Sequence, residues 1–295
     1  MKRLASLKQL EYLCALAETR HFAKASAQCN VTPSTLSAGL RDLESVLGVS
    51  VAERTKRSVL MTPLGLDIAA RARLLLRDAE DIMALAAAQR EPMTAAITLG
   101  VIPTVGPFLL PKVLPALNAA YPALSLFLRE EQTATLLARL RNGEIDLAMI
   151  ALPFDTGDLA VTELFDDVFQ FACHRDHPLA ARKSISDRQI AGLPLLLLEE
   201  GHCLRGHALE ACRLQSAPIR TQFEATSLHT LVQMVAAGLG VTLLPQMAVD
   251  TKITAGSDVR LIPLAGAPSR RIGLVWRRAS PRVAEFELMA EGFRS

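Results

Sequence analysis

The sequence predicts an α/β protein of three parts: an amino-terminal winged helix-turn-helix, one long linking helix, and a carboxy-terminal two-lobed α/β domain. Three observations predict it. A helix led by a proline follows a tight turn near residue 30, a helical pattern runs from Pro63 to about Gln89, and short apolar strands alternate with helices over the remainder. With 295 residues and 50% hydrophobic content, the chain can form two or three domains with substantial cores.

Leu7, Leu10, Tyr12, Leu13, Leu16 and Ala17 keep close to a 3.6-residue period and predict a first helix over about 6–19. A second runs from Phe22 to Cys29. Asn30 and Val31 make the turn, and Thr32 followed by Pro33 is a helix start, a capping hydroxyl with proline at the first helical position. The third helix is predicted to bury Leu36, Leu40, Leu43 and Leu47. That leaves the hydroxyls of Thr32, Ser34, Thr35 and Ser37, with Ala38 and Arg41, facing outward. Small hydroxyl residues permit close approach to a DNA groove, and Arg41 can reach phosphate or guanine. A plain three-helix bundle is the competing arrangement. Against it stands the segment from Val51 to Leu60, in which Arg54, Lys56 and Arg57 form a basic turn between two apolar strands, as expected of a wing on the phosphate backbone. Charge agrees weakly: about 13 lysines and arginines meet 9 acidic residues in the first 90 positions, although the whole chain carries only +2. Residues 1–62 are therefore expected to bind double-stranded DNA.

From residue 63 to 91 the pattern is one helix with Leu64, Ile68, Leu75, Ile82 and Leu85 in a stripe. Such a helix cannot bury its stripe alone. Pairing with the same helix of a second copy solves this, and a two-fold dimer suits a pseudo-palindromic operator. Glu91-Pro92 ends the helix. Within 92–295, strands are expected at 97–102, 124–128 and 146–151 around helices at 107–120 and 133–142, which describes a parallel sheet covered on both faces. A second set follows, with strands at 169–173, 195–198, 221–224 and 241–244 and helices near 204–214 and 228–237. A strand at 272–276 and a last helix return to the first lobe, so that lobe I takes about 92–165 and 269–295 and lobe II about 166–268. Between two such lobes lies a cleft suited to a small ligand.

The stretch from Gly201 to Cys212 holds two cysteines, two histidines and Arg205. In a helix the two thiols stand roughly 13 Å apart along the axis, on opposite sides. A disulfide needs Cα atoms within about 7 Å, so the pair could bond only with the helix unwound. His202, Arg205 and a helix start can stabilise a Cys203 thiolate, while Glu199 and Glu200 oppose it. Buried inert thiols remain an open alternative. Zinc is the other, but the spacing lacks a CxxC or HxxxH pair, and no metal or cofactor is expected. Five cysteines, no apolar leader after Met1-Lys2-Arg3 and no run of about 18 uncharged apolar residues argue for a reducing cytoplasm and against secretion or a membrane span.

The runs Leu36-Ser37 to Leu43-Glu44, Glu53-Arg54-Thr55 and Ala236-Ala237-Gly238-Leu239-Gly240-Val241-Thr242-Leu243-Leu244-Pro245 resemble the LysR-type bacterial transcription regulators over nearly the whole chain. Gly100 to Pro107, Glu131-Gln132-Thr133, and Gly201 to Arg205 with Cys212 are similar to the hydrogen-peroxide-sensing branch of that family. The resemblance implies a periplasmic-binding-protein-like effector domain, a homodimer or homotetramer, and contact with RNA polymerase. It implies that Cys203 reacts with hydrogen peroxide and that Cys212 closes a reversible disulfide. Thr104, Thr133 and His202 then orient the peroxide, with Arg205 beside them. Gly206 departs from the branch, which carries a charged or polar side chain there. The implied function is a peroxide-activated regulator rather than an enzyme; the alternative is a regulator that answers a small metabolite in the cleft. A thiol peroxidase would share the chemistry but has no use for the winged module.

Overall fold

The computed structural model describes residues 4–54, 59–88, 93–213 and 219–294, and the chain falls into two compact units that divide near residue 90. In the first unit α1 (Leu7–Thr19), α2 (Phe22–Gln28) and α3 (Pro33–Leu47) pack around Leu13, Leu16, Leu36, Leu40 and Leu43. Ser6 and Gln9 form a reciprocal capping box on α1, and Thr32 caps α3 as its sequence predicts. Leu47 departs from expectation, remaining exposed at the last turn of α3. Gly39 faces the Tyr12 ring so closely that a Cβ there would lie 2.7 Å from it, which is how α3 presses against α1.

The wing strands β1 (Ala52–Arg54) and β2 (Val59–Met61) are antiparallel, with Ala52 opposite Met61; Lys56 and Arg57 of the predicted basic turn lie outside the described residues. The linking helix, α4 (Pro63–Ala88), packs on α1 through the buried Ala69 and Ala72. Leu64, Leu75 and Ile82 of its predicted stripe are exposed in the single chain, together with Met83.

In the second unit, β3 (Ala96–Val101), α5 (Gly106–Ala120), β4 (Ser125–Glu130), α6 (Thr133–Arg141) and β5 (Leu147–Leu152) follow the expected alternation, and β3 runs parallel to both β4 and β5. The sheet is nevertheless mixed rather than parallel. β6 (Ala160–His174) is one strand of 15 residues where the sequence predicts only 169–173. Its first half pairs antiparallel with the closing strand, and its second half enters lobe II. After α7 (Asp187–Ile190) come β7 (Leu195–Leu198), α8 (Cys203–Ala211), β8 (Ile219–Ala225) and α9 (Leu228–Ala236). β9 (Thr242–Pro245), α10 (Gln246–Asp250) and β10 (Val259–Pro263) complete lobe II. Last come β11 (Ser269–Trp276) and α11 (Val283–Arg294).

β9 and β10 flank the far half of β6, while β11 sits between β6 and β5. Two strands thus carry the connection between lobes, and one continuous apolar cluster, from Ile97 through Phe169 and Phe171 to Phe286, serves both. Apolar residues alternate poorly on β6, where Asp166 and Asp167 interrupt the pattern, which is why its first half reads as loop.

The contact between Gly39 and Tyr12 generates a prediction. Gly39→Ala should destabilise the amino-terminal unit by about 1–3 kcal/mol, because the added methyl meets a ring that has no room to retreat. Urea unfolding of the two proteins measures this; a change under about 0.5 kcal/mol would show that the helices separate freely.

Candidate functional site: a half-buried thiol at a helix start

Cys203 is the first residue of α8, placed there by the left-handed backbone of Gly201 (φ 97°) and the extended His202. That backbone conformation favours glycine at 201, and a Cβ there would also lie 2.5 Å from Oε1 of Gln132. This close approach sets the start of α8 against the start of α6. There the Thr133 hydroxyl, itself buried, donates to the Cys203 Sγ at 3.4 Å.

His207 follows Cys203 by one helical turn and lies on the same side of α8. Its Nε2 bonds the carbonyl oxygen of Pro153 at 2.8 Å. Beneath them the guanidinium of Arg270, with no exposed surface, grips Asp167 through Nε at 3.0 Å and Nη2 at 2.9 Å. The same group donates from Nη1 to the Thr104 hydroxyl at 2.8 Å and from Nη2 to the Thr104 carbonyl at 2.9 Å. Asp167 is satisfied on its other oxygen by the backbone N–H of Met247, at 3.0 Å. A buried charge pair is tolerable only when its remaining donors and acceptors are met in this way.

These surroundings decide the ionisation of Cys203. Burial opposes the thiolate, but the interaction with the neighbouring His207, the hydrogen bond from Thr133 and the charge of Arg270 outweigh it and bring the thiol below its ordinary pKa. Cys212, the C-cap of the same helix, is treated in the opposite way. Burial, aided by the nearby Asp187, pushes its pKa up to about 12, so it is held as a neutral thiol. The helix between them is intact, which keeps the thiols roughly 13 Å apart along its axis.

Of the residues that the sequence proposes, the structure brings Cys203 and Thr133 into direct contact and joins Thr104 to them through Arg270. His202 is buried at the helix cap, where its Nε2 lies 3.7 Å from Oε1 of Glu199. Arg205 reaches Glu200 at 3.8 Å on the rim. Sequence reasoning missed His207, Arg270 and Asp167. Helical spacing from Cys203 could have found the first. An arginine on the same strand face as Ile272 and Leu274 marked the second.

On the predicted recognition helix, the hydroxyls of Thr32, Ser34 and Thr35 cluster at 2.8 Å and Thr32 also accepts from the Thr35 N–H, so part of this polar set serves the cap. Ser37 is half-buried and Arg41 exposed. Arg54 ends β1, beside the turn that lies outside the described residues.

A helix-turn-helix with a wing, joined to a two-lobed α/β domain, defines a class of ligand- or signal-responsive DNA-binding regulators. Residues 7–66 match the model of the bacterial regulatory helix-turn-helix protein, lysR family, and residues 90–294 match that of the LysR substrate binding domain, so the chain belongs to the LysR-type family. Within it the chain is similar to the DNA-binding transcriptional dual regulator OxyR of Escherichia coli (strain K12), with 42% identity over 98% of this chain and 95% of the relative. Among solved structures it resembles a cysteine-to-aspartate variant of full-length OxyR from Pseudomonas aeruginosa. That match has a TM-score of 0.84 and 38% identity, over 99% of this chain and 95% of that one. It also resembles a cysteine-to-serine variant of OxyR from Corynebacterium glutamicum with bound hydrogen peroxide. Here the TM-score is 0.68 and the identity 34%, over 100% of this chain and 93% of that one. Among the described residues no helix is long and apolar enough to cross a membrane.

The ion pair under the site yields a prediction. Asp167→Asn should leave the Arg270 charge buried without its counter-ion and lower stability by about 3–5 kcal/mol. Thermal or urea denaturation measures it, and an unchanged transition would remove the pair from the framework of the domain.

Proposed function

We propose that the chain is a DNA-binding transcription regulator that hydrogen peroxide activates through Cys203 and Cys212. The observation that carries this is a half-buried thiol brought below its ordinary range, with hydroxyl donors at hand, in a chain otherwise similar to OxyR over nearly its whole length. The Cys203 thiolate attacks one oxygen of the peroxide; an S–O bond forms, the O–O bond breaks, and the departing hydroxide takes a proton and leaves as water. Hydroxide is a poor leaving group, so donors at that oxygen lower the barrier. Thr133 and Thr104 supply hydroxyls, and Arg270 supplies fixed positive charge. The Cys212 thiolate then attacks the sulfenic sulfur of Cys203; an S–S bond forms, the S–O bond breaks, and the hydroxide takes a proton from solvent and leaves as water.

The second step requires that Cys212 leave its buried position, because there it is both protonated and out of reach. Unwinding α8 meets both needs at once. Exposure removes the burial that suppresses its ionisation, and loss of the helix closes the distance. The redox event is thereby a conformational one. The amino-terminal unit binds double-stranded DNA as a homodimer or homotetramer, with the exposed Leu64, Leu75, Ile82 and Met83 of α4 pairing between copies, and the activated form engages RNA polymerase. The protein consumes one peroxide per switch and is not a turnover enzyme.

Cys203→Ser should abolish the response of a reporter gene to peroxide while operator binding persists, and stoichiometric peroxide should remove two thiols from the wild-type protein but none from this variant. Retention of all thiols in the wild type would favour a metabolite in the cleft instead. Gly206→Ala tests the unwinding step. Gly206 is helical, exposed and free of neighbours within 4 Å, so alanine fits and strengthens α8 by up to about 1 kcal/mol. Disulfide closure should slow by a few-fold, up to about fivefold, with no change in the first reaction of Cys203. Stopped-flow measurement of both steps decides it, and equal closure rates would mean that unwinding does not limit the switch.

A further inference from the structure

His207 has an environment that the steps above do not use. It is 7% exposed, and a carbonyl oxygen occupies one side of its ring. A carbonyl only accepts, so the 2.8 Å bond to Pro153 requires that Nε2 carry a proton. In the neutral ring Nδ1 is then a lone pair. Among the described residues this buried nitrogen has no hydrogen-bond partner of regular geometry. An unpaired buried acceptor is costly, and the thiol proton one turn away on the same helix face can relieve it.

We propose that His207 is the residue that ionises Cys203: it takes the thiol proton on Nδ1 and remains beside the sulfur as an imidazolium, while Pro153 anchors the other nitrogen. The S–H bond breaks and an N–H bond forms, with no other reactant. A neutral thiol and neutral imidazole are replaced by a thiolate and imidazolium, and the pair keeps its net charge inside the domain. This is the logic of an activated cysteine with an oriented base, with a backbone carbonyl as the orienting group.

The groups facing His207 are few. On α8 it meets Cys203. The connection after β5 contributes the Pro153 carbonyl, and β11 contributes Arg270, whose charge opposes the imidazolium and is itself paired with Asp167. β5 and β7, the other strands against α8, carry only uncharged side chains. Burial also opposes protonation, yet the hydrogen bond and charge of Cys203 with the Pro153 carbonyl prevail, and His207 is shifted above its ordinary pKa as Cys203 is shifted below its own.

The inference deepens the peroxide reading, but its test does not depend on peroxide. The experiment is the pH profile of Cys203 alkylation by iodoacetamide, and of thiolate absorbance, in the full-length protein on a Cys212→Ser background. His207→Gln keeps a donor for the Pro153 carbonyl and removes the base. The midpoint for thiolate formation should rise by at least about one unit, which lowers alkylation below the midpoint about tenfold. A slower rate with an unmoved midpoint would overturn the proposal, since a merely structural role changes rates at every pH. Should the variant not fold, selectively labelled histidine in the wild-type protein provides the second measurement. Its His207 signal should titrate at lower pH after Cys203→Ser, and an identical titration would also overturn the proposal. A wild-type protein with the low midpoint but no reaction with hydrogen peroxide would support the pair and refute the peroxide reading, so the two failures are distinct.

Discussion

A guanidinium with no exposed surface is the constraint on which the rest of this domain is organised. Arg270 cannot lose its charge, so the fold must supply Asp167 on β6, Thr104 before α5 and, through Asp167, the start of α10. Those elements come from both lobes and from the two strands that join them. The pair therefore holds the lobes at one register and places a permanent positive charge near Cys203. It also fixes the polarity of Thr104: because the hydroxyl oxygen accepts from Arg270, its proton is free to be donated elsewhere.

The two ends of α8 impose opposite chemistry on identical side chains. At the start, the helix dipole, Thr133, His207 and Arg270 favour negative charge on sulfur; at the end, the dipole reverses and burial beside Asp187 keeps the proton on. One thiol is favoured as a thiolate and the other is kept neutral. The intact helix is what separates these roles, both in space and in acidity, so that structure and reactivity change together when it opens.

Much of the first unit was legible in the sequence, because its signals are local: Thr32-Pro33 marks a helix start whatever lies around it, and Leu36, Leu40 and Leu43 report a buried face by spacing alone. The alternation of α5, α6 and the strands between them was legible for the same reason. β6 was not, since Asp166 and Asp167 break its apolar pattern and only distant partners make sense of them: Arg271 for the first, Arg270 for the second. The same holds in the site. Cys203 and Cys212 stand out in the sequence, but their roles, like that of Thr133, enter through resemblance. His207 and Arg270 acquire meaning only when Pro153 and Asp167 are brought to them across more than fifty and a hundred positions of sequence. Local periodicity finds elements; it does not find the long-range partner that turns a polar residue into part of a site.

The packing of α8 explains why so short a helix can serve as a switch. Nine residues are too few for a stable helix in isolation, and this one has a glycine in its middle and no side-chain cap from His202. Its stability must come from one buried face, formed by Leu204, Ala208 and Cys212 at successive intervals of four. Cys212 is thus both the second thiol and the last apolar anchor of the helix. Any bond between Cys212 and Cys203 must pull that anchor out of the core, and with it the packing that kept the thiols apart. The reduced helix and the disulfide are in this way mutually exclusive arrangements of the same few residues, which is the condition for two discrete states rather than a graded distortion.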